Sequence, residues 1–345
     1  MEKMEGLLSK TIQLLRDAGF QSFYVNKNPQ KNRFCYDLIV KKKNQSFILK
    51  FFKNIDNIKE ETIKGVKILS KLFKSNPLLI GIKNRYQEIE DNTIYIRDDL
   101  PIITIGTLKN ILERELFPFV LIRRGGGIVF LNGELMKELR ETQGISRKEL
   151  SDKIGVTKRT ICSYESENMR PSKEIAEKIK DILDNSEIFR NINVLDWNFE
   201  CNIKKTLTEE QLSPFEEHIQ IILDDIGISS YWYKKGLFPF EMCISSKQQE
   251  SNKDPTIYPL LSEVSEMKKQ LKEKQLKDLQ YLKHFLTLFR KHALFIVDNE
   301  IKKSRFFEKT NIPVLDLRDL EKISNEEQFR HHFDQTESNK SSLLN

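Results

Sequence analysis

No stretch of the chain approaches the ~18 consecutive apolar residues that a membrane-spanning helix needs. The opening MEKMEGLLSKTIQLLRDAGF holds no long apolar segment followed by a small-residue cleavage site, so it does not read as a signal peptide. A cytoplasmic protein is the expectation. Cysteine is scarce: Cys35, Cys162, Cys201 and Cys243 lie far apart and form no CxxC or CxxH pair, which argues against a zinc site or a disulfide framework. They read as small, partly buried hydrophobes. His331 and His332 are adjacent but sit near a polar tail without a partner motif. GxxxxGK[ST], GxSxG and HExxH are all missing, so neither a cofactor nor a metal is expected. The excess of positive charge is small, a formal +6 over 345 residues, which is compatible with a nucleic-acid partner without establishing one.

What is present falls into three blocks, too much chain for one average domain. The first, residues 1–118, opens with an amphipathic helix (Leu7, Leu8, Ile12, Leu15) that stops at Gly19. Strand-like runs at Arg33–Lys41 and Gln45–Phe52 follow, joined by a turn at Lys42–Asn44. A helix near Ile58–Phe73 comes next, then strands at Pro77–Ile82, Thr93–Ile96 and Ile102–Ile105 and a helix at Thr107–Glu113. Such alternation predicts an α/β sandwich. A β-hairpin linker at 119–131 (VLIRRGGGIVFL from Val120) has a glycine-rich turn. It leads into a helical domain at 132–184 and an extended connector at 185–212.

The third block, 213–330, repeats the first. Leu15–Lys27 aligns with Leu223–Lys235, Lys71–Gly81 with Thr287–Val297, and Leu100–Ile111 with Ile312–Ile323, in the same order and without gaps. Its middle carries an insertion, Lys247–Lys283, ending in a Lys/Glu/Leu-rich stretch that reads as one long helix with a single apolar stripe. The polar end, 331–345, is expected to be disordered.

The central block carries the chemistry. Asn132 can cap a first helix with Leu135, Met136 and Leu139 inward, and Gly144 suits its end. Ser146-Arg-Lys-Glu149 is a capping-box sequence that starts a second helix holding Leu150 and Ile154. Gly155 supplies the tight turn. Thr157 caps a third helix with Ile161 and Tyr164 on its buried side. Burying those two leaves Lys158, Arg159, Thr160 and Ser163 outward, where Arg and Lys can donate to guanine O6 and N7 in a major groove. Arg147, Lys148 and Thr157 lie at helix starts, suited to phosphates. Arg123 and Arg124 in the hairpin are possible additions.

This pattern resembles the helix-turn-helix domain of the phage repressor and Cro family through Arg140, Gly144, Ser146, Leu150, Gly155, Val156, Thr157, Ile161, Tyr164, Glu165 and Pro171. Two positions depart from it. Arg147 replaces the usual glutamine that opens the second helix, and Ser166-Glu167-Asn168 lacks the usual glycine after the aromatic–Glu pair. The whole chain also resembles a family of archaeal HTH-type transcriptional regulatory proteins, through Tyr36–Ile58, the glycine-rich hairpin and Asn132–Ser146. The resemblances imply a central five-helix, lambda-repressor-like DNA-binding domain between two duplicated α/β domains.

The flanks bear on whether the chain is an enzyme. Asp37 and Lys50 fit a restriction-endonuclease-like fold, but that site also needs an acid two positions before the lysine to help hold a metal. Ile48 stands there, and in the second copy Glu241 aligns with Asp37 without an acid-x-Lys strand after it. Both flanks therefore read as degenerate relics, or Asp37 as an ordinary strand carboxylate. The expected function is a sequence-specific, non-enzymatic transcriptional regulator that binds double-stranded DNA as a homodimer, its flanks serving dimerisation or sensing. The alternatives are an adaptor whose helix-turn-helix contacts protein and a metal-dependent DNA nuclease.

Overall fold

The computed structural model describes residues 2–24, 32–123, 126–201, 211–247, 258, 260–265, 281–283, 285–298 and 312–341. The chain divides into two compact units, Met1–Asn32 with Tyr36–Glu200, and Arg33–Cys35 with Cys201–Asn345.

The first unit is built on one eight-stranded sheet. Helix α1 (Glu2–Asp17) leads into strands β1 (Gln21–Tyr24), β2 (Leu38–Lys42) and β3 (Gln45–Asn54). Helix α2 (Glu60–Leu72), β4 (Asn76–Lys83), β5 (Thr93–Arg97), β6 (Leu100–Ile103) and α3 (Ile105–Arg114) follow. The hairpin β7 (Val120–Arg123) and β8 (Gly126–Val129) completes the order β1-β2-β3-β4-β6-β5-β7-β8. Because strand side chains alternate between faces, Leu38, Val40, Phe47, Leu49, Leu78 and Ile80 form one core with Leu7, Leu8 and Leu15 of α1 and Leu108 of α3. The intervening Ile39, Ile48 and Leu79 are fully covered on the opposite side of the sheet. Helix α2 packs on β3 and β4 and buries Ile63, Val66 and Leu69. The expected α/β sandwich is present. One boundary moves: Arg33–Cys35 is not part of β2 but belongs to the second unit, where Cys35 N donates to the Leu237 carbonyl at 3.0 Å.

The hairpin is no free linker. β7 pairs in parallel with β5, Thr93 opposite Val120, so the sheet runs on into the helical block. That block contains four helices, not the five implied by the phage-repressor resemblance: α4 (Gly133–Thr142), α5 (Arg147–Ile154), α6 (Lys158–Glu165) and α7 (Lys173–Leu183). After α7 the chain turns back instead of adding a helix. Asp184 takes a left-handed conformation (φ 49°), and Arg190 N and Ile192 N donate to the Phe130 and Pro118 carbonyls at 2.8 Å each. Val194 enters the α1–sheet core, and Asn76 Nδ2 donates to the Leu195 carbonyl at 2.6 Å. Residues 186–199, read from the sequence as part of an extended connector, thus form a strap that cements the helices to the sheet.

The second unit contains α8 (Pro214–Asp225), β9 (Ile228–Trp232), β10 (Met242–Ser246), β11 (Leu260–Ser265), β12 (Ala293–Val297), β13 (Val314–Asp316), α9 (Leu317–Leu320) and α10 (Glu326–Ser341). Its sheet order is β13-β12-β11-β10-β9. β9–β10 and β10–β11 are antiparallel, β11–β12 and β12–β13 parallel. The run β1-β2-β3-β4-β6 of the first unit has the same order and the same senses. Residues 331–341, expected to belong to a disordered tail, lie inside α10, His331 and His332 among them. Most of the long helix expected within Lys247–Lys283 lies outside the described residues, as does Arg124.

Candidate nucleic-acid interface

Local sequence chemistry sets the helix ends. Ser146 Oγ accepts from Glu149 N at 3.1 Å while Glu149 Oε2 accepts from Ser146 N at 2.7 Å, the reciprocal capping box expected. Gly155 closes α5 at φ 85°, a left-handed conformation that favours glycine. Thr157 Oγ1 then accepts from Thr160 N at 3.1 Å and fixes the start of α6. Met136, Leu150, Ile154, Ile161, Tyr164, Ala176, Ile179 and Leu183 make the shared core, joined by Val120, Val129, Leu131 and Ile188 from the hairpin and strap. Burial of Ile161 and Tyr164 fixes the rotation of α6. Lys158 and Arg159 are exposed, and Thr160 and Ser163 half-buried. Thr157 and Lys148 are exposed at the starts of α6 and α5.

Arg147 is held differently. Its Nε donates to Glu165 Oε2 at 2.7 Å, while Arg140 Nε donates to Glu165 Oε1 at 2.6 Å. Arg140 also donates to the Ile145 carbonyl at 2.9 Å and to Glu141 Oε1 at 3.0 Å. One carboxylate therefore ties α4 and α5 to the C-terminal end of α6. Hydrogen bonding to Glu165 raises the Arg147 pKa, so its charge is secure. Sequence reading marked Glu165 only as part of the motif. A buried Glu flanked by Arg140 and Arg147 was the available signal, since such a charge is covered only when paired.

Glu167 fills the place of the missing glycine. It adopts φ 57° without being glycine, a strained conformation for a residue with a side chain. Its carboxylate compensates by accepting from Gly133 N at 3.1 Å and Arg190 Nη2 at 2.5 Å. Gly133 has to be small there, because a Cβ would collide with the Glu165 carbonyl. Cys162 also departs from expectation. Cys35 and Cys243 are buried and Cys201 is intermediate, but Cys162 is exposed on α6 beside Ser163, among the outward residues.

The nuclease-like constellation is closed on itself. Asp37 and Lys50 are buried, with Lys50 Nζ 3.0 Å from Asp37 Oδ1. Asn32 Nδ2 donates to the same oxygen at 2.6 Å, and Phe51 N donates to Oδ2 at 2.9 Å. Burial raises the Asp37 pKa, opposed by the Lys50 charge and the Phe51, Asn32 and Lys50 donors. Ile48, on the Lys50 face of β3, is fully buried where a second metal-binding carboxylate would stand. Strand register puts Leu261 and Glu263 of the second unit at the positions of Ile48 and Lys50. No group of three or more His, Cys, Asp or Glu side chains suited to a metal occurs among the described residues. None of their helices is long and apolar enough to cross a membrane.

Comparison with known proteins agrees with this layout. Residues 4–117 match the PD-(D/E)XK superfamily domain, and residues 136–188 match a helix-turn-helix family. Over nearly its whole length the chain is similar to archaeal proteins provisionally named HTH-type transcriptional regulatory proteins. One from Methanocaldococcus jannaschii is 29% identical over 92% of this chain and 93% of its own. Another from Pyrococcus abyssi is 26% identical over 90% of each. A third, from Pyrococcus horikoshii, is 29% identical over 84% of this chain and 85% of its own. No solved structure matches the chain.

Proposed function

We propose that the chain is a transcriptional regulator that reads duplex DNA through α6. The observation that carries this is the capped α5–turn–α6 arrangement, in which Ile161 and Tyr164 are buried while Lys158 and Arg159 face outward. The names of the full-length relatives support it. In this reading Lys158, Arg159, Thr160 and Ser163 address base edges, and Thr157, Lys148 and Arg147 address phosphates. Arg147 reaches the backbone with the groups that Glu165 leaves unused.

The protein works in the cytoplasm, where the sequence reading put it, and as a homodimer, because one recognition helix covers too few base pairs for strong discrimination. Half-sites then lie about 34 Å, one helical turn, or a multiple of it apart. The two α/β flanks are duplicated copies, a reading supported by their common strand order and by the three aligned segments. They are also non-catalytic: each lacks the acid-x-Lys pair, and the donors around Asp37 already occupy its oxygens.

Selection of bound sequences from random duplexes, followed by footprinting, tests the reading. The expected result is a two-fold symmetric site on which Arg159→Ala loses about 1–3 kcal/mol and blurs one base position. Binding indifferent to sequence would favour a helix-turn-helix that contacts protein. A monomer protecting one short asymmetric site would sink the dimer.

A further inference from the structure

A cleft of about 790 Å³ opens in the first unit beside the β5–β6 turn, the end of β7 and the strap. We propose that it binds a nucleotide, with phosphate on Arg97 and Arg123 and the base against Trp197 and Phe199. Its volume falls within the range of small-ligand sites, which run from about 300 to 1,000 Å³.

Three features point to this class of ligand. Arg97 Nε is buried with no hydrogen-bond acceptor, the nearest carboxylate oxygen, Asp98 Oδ2, being 3.9 Å away. The side chain as a whole is 33% exposed, so the guanidinium keeps an accessible side on which a phosphate can be held by charge-assisted hydrogen bonds. Arg123 is exposed at the end of β7 and adds a second guanidinium to the same cleft. The aromatic wall is the second feature. Trp197 and Phe199 are half-buried at alternate positions of the strap, and Trp197 Nε1 is anchored on the Asp99 carbonyl at 2.7 Å. An anchored ring such as Trp197 is a platform on which a base can stack.

The third feature is the acid at the rim. Asp98 and Asp99 form a two-residue hairpin turn, both left-handed (φ 46° and 63°), and Glu200 lines the cleft with them. Aspartate, with glycine and asparagine, is a residue that hairpins of this type favour at such positions. Carboxylates at the rim can accept hydrogen bonds from the amino groups of a base. A duplex keeps its bases stacked away from Trp197 and Phe199. A free nucleotide or an unstacked single strand offers both the phosphate and the ring face.

The test titrates the whole protein with AMP, GMP, CMP, UMP, inorganic phosphate and an octathymidylate, reading tryptophan fluorescence and heat. Trp232, the other tryptophan, is 4% exposed within the second unit, so quenching reports Trp197. At least one monophosphate should give saturable quenching, with the matching nucleoside and inorganic phosphate binding at least about tenfold more weakly. Arg123→Ala, a change at an exposed position, should weaken binding about tenfold or more. Tighter binding of the oligonucleotide than of any monophosphate assigns the site to single strands, and the reverse assigns it to free nucleotides. No saturable signal up to about 1 mM of any probe, or affinity unchanged in both Arg97→Ala and Arg123→Ala, would overturn the proposal.

Discussion

Arg140 and Glu165 form a buried ion pair, Nε to Oε1 at 2.6 Å, with side chains only 6% and 3% exposed. The pair joins the first helix of the DNA-reading block to the last turn of α6. Removing one partner of such a pair leaves an uncompensated charge in the core. Glu165→Ala is therefore expected to destabilise the first unit by about 3–5 kcal/mol. Chemical denaturation followed by circular dichroism measures this, and a loss below about 1 kcal/mol would show that Arg140 finds other partners.

Cys162 offers a direct probe of the reading face. With Cys35 and Cys243 buried and Cys201 half-buried, N-ethylmaleimide should modify Cys162 first, and the bulky adduct beside Ser163 should abolish duplex binding. Bound operator DNA should slow the modification, and Cys162→Ser should bind DNA normally while resisting the reagent. Equal modification rates with and without DNA would place the contact face elsewhere on the domain.

Asp37→Ala separates structure from catalysis. It leaves Lys50 buried without its carboxylate, so stability should fall by about 3–5 kcal/mol. Sequence preference in DNA binding, measured below the unfolding transition, should persist. Wild-type protein with magnesium and supercoiled DNA should give no nicking. Nicking lost in Asp37→Ala would establish a nuclease.

Glu167 predicts a pH dependence. Hydrogen bonding to Arg190, helped by Gly133 N, lowers its pKa below the ordinary 4.5. The unfolded chain thus takes up the proton first as pH falls. The resulting stabilisation is fully present above pH 4.5 and disappears as pH drops through the lowered folded-state value. The side chain is 42% exposed, so the effect is at most about 1 kcal/mol. Thermal melts of wild type and Glu167→Gln should differ at neutral pH and converge in acid. A constant difference across that range would assign the loss to shape instead of charge.

The parts that were legible in the sequence are those governed by short-range chemistry. The Ser146 and Thr157 caps, the Gly155 turn and the inward Ile161 and Tyr164 depend on residues three or four apart, which a periodic pattern displays. The three aligned pairs of segments were visible too, but not the strand order that the two sheets share. Long-range pairing was not legible. Nothing local in Val120–Arg123 says that it lies beside Thr93–Arg97, and Val194 looks like any apolar residue in a polar stretch until its core is seen. The resemblance implied five helices in 132–184, whereas the caps and apolar spacing there mark only the four that form. Glu167 in a left-handed conformation was hidden for another reason: its compensation comes from Arg190, 23 residues away.

The strap and hairpin also decide how portable the DNA-reading block is. Phe119 of the hairpin segment stacks on Phe189 of the strap at 4.6 Å, and Val120, Val129 and Ile188 complete the core beneath α4–α7. Cut out at residues 132–184, the four helices would lose that floor and present its apolar underside to water. A fragment meant for grafting onto another protein has to begin before Phe119 and end beyond Phe189. Even then it carries an open sheet edge where β5 had been. In this chain the helix-turn-helix is thus not an interchangeable cassette, and its orientation is inherited from the α/β sheet.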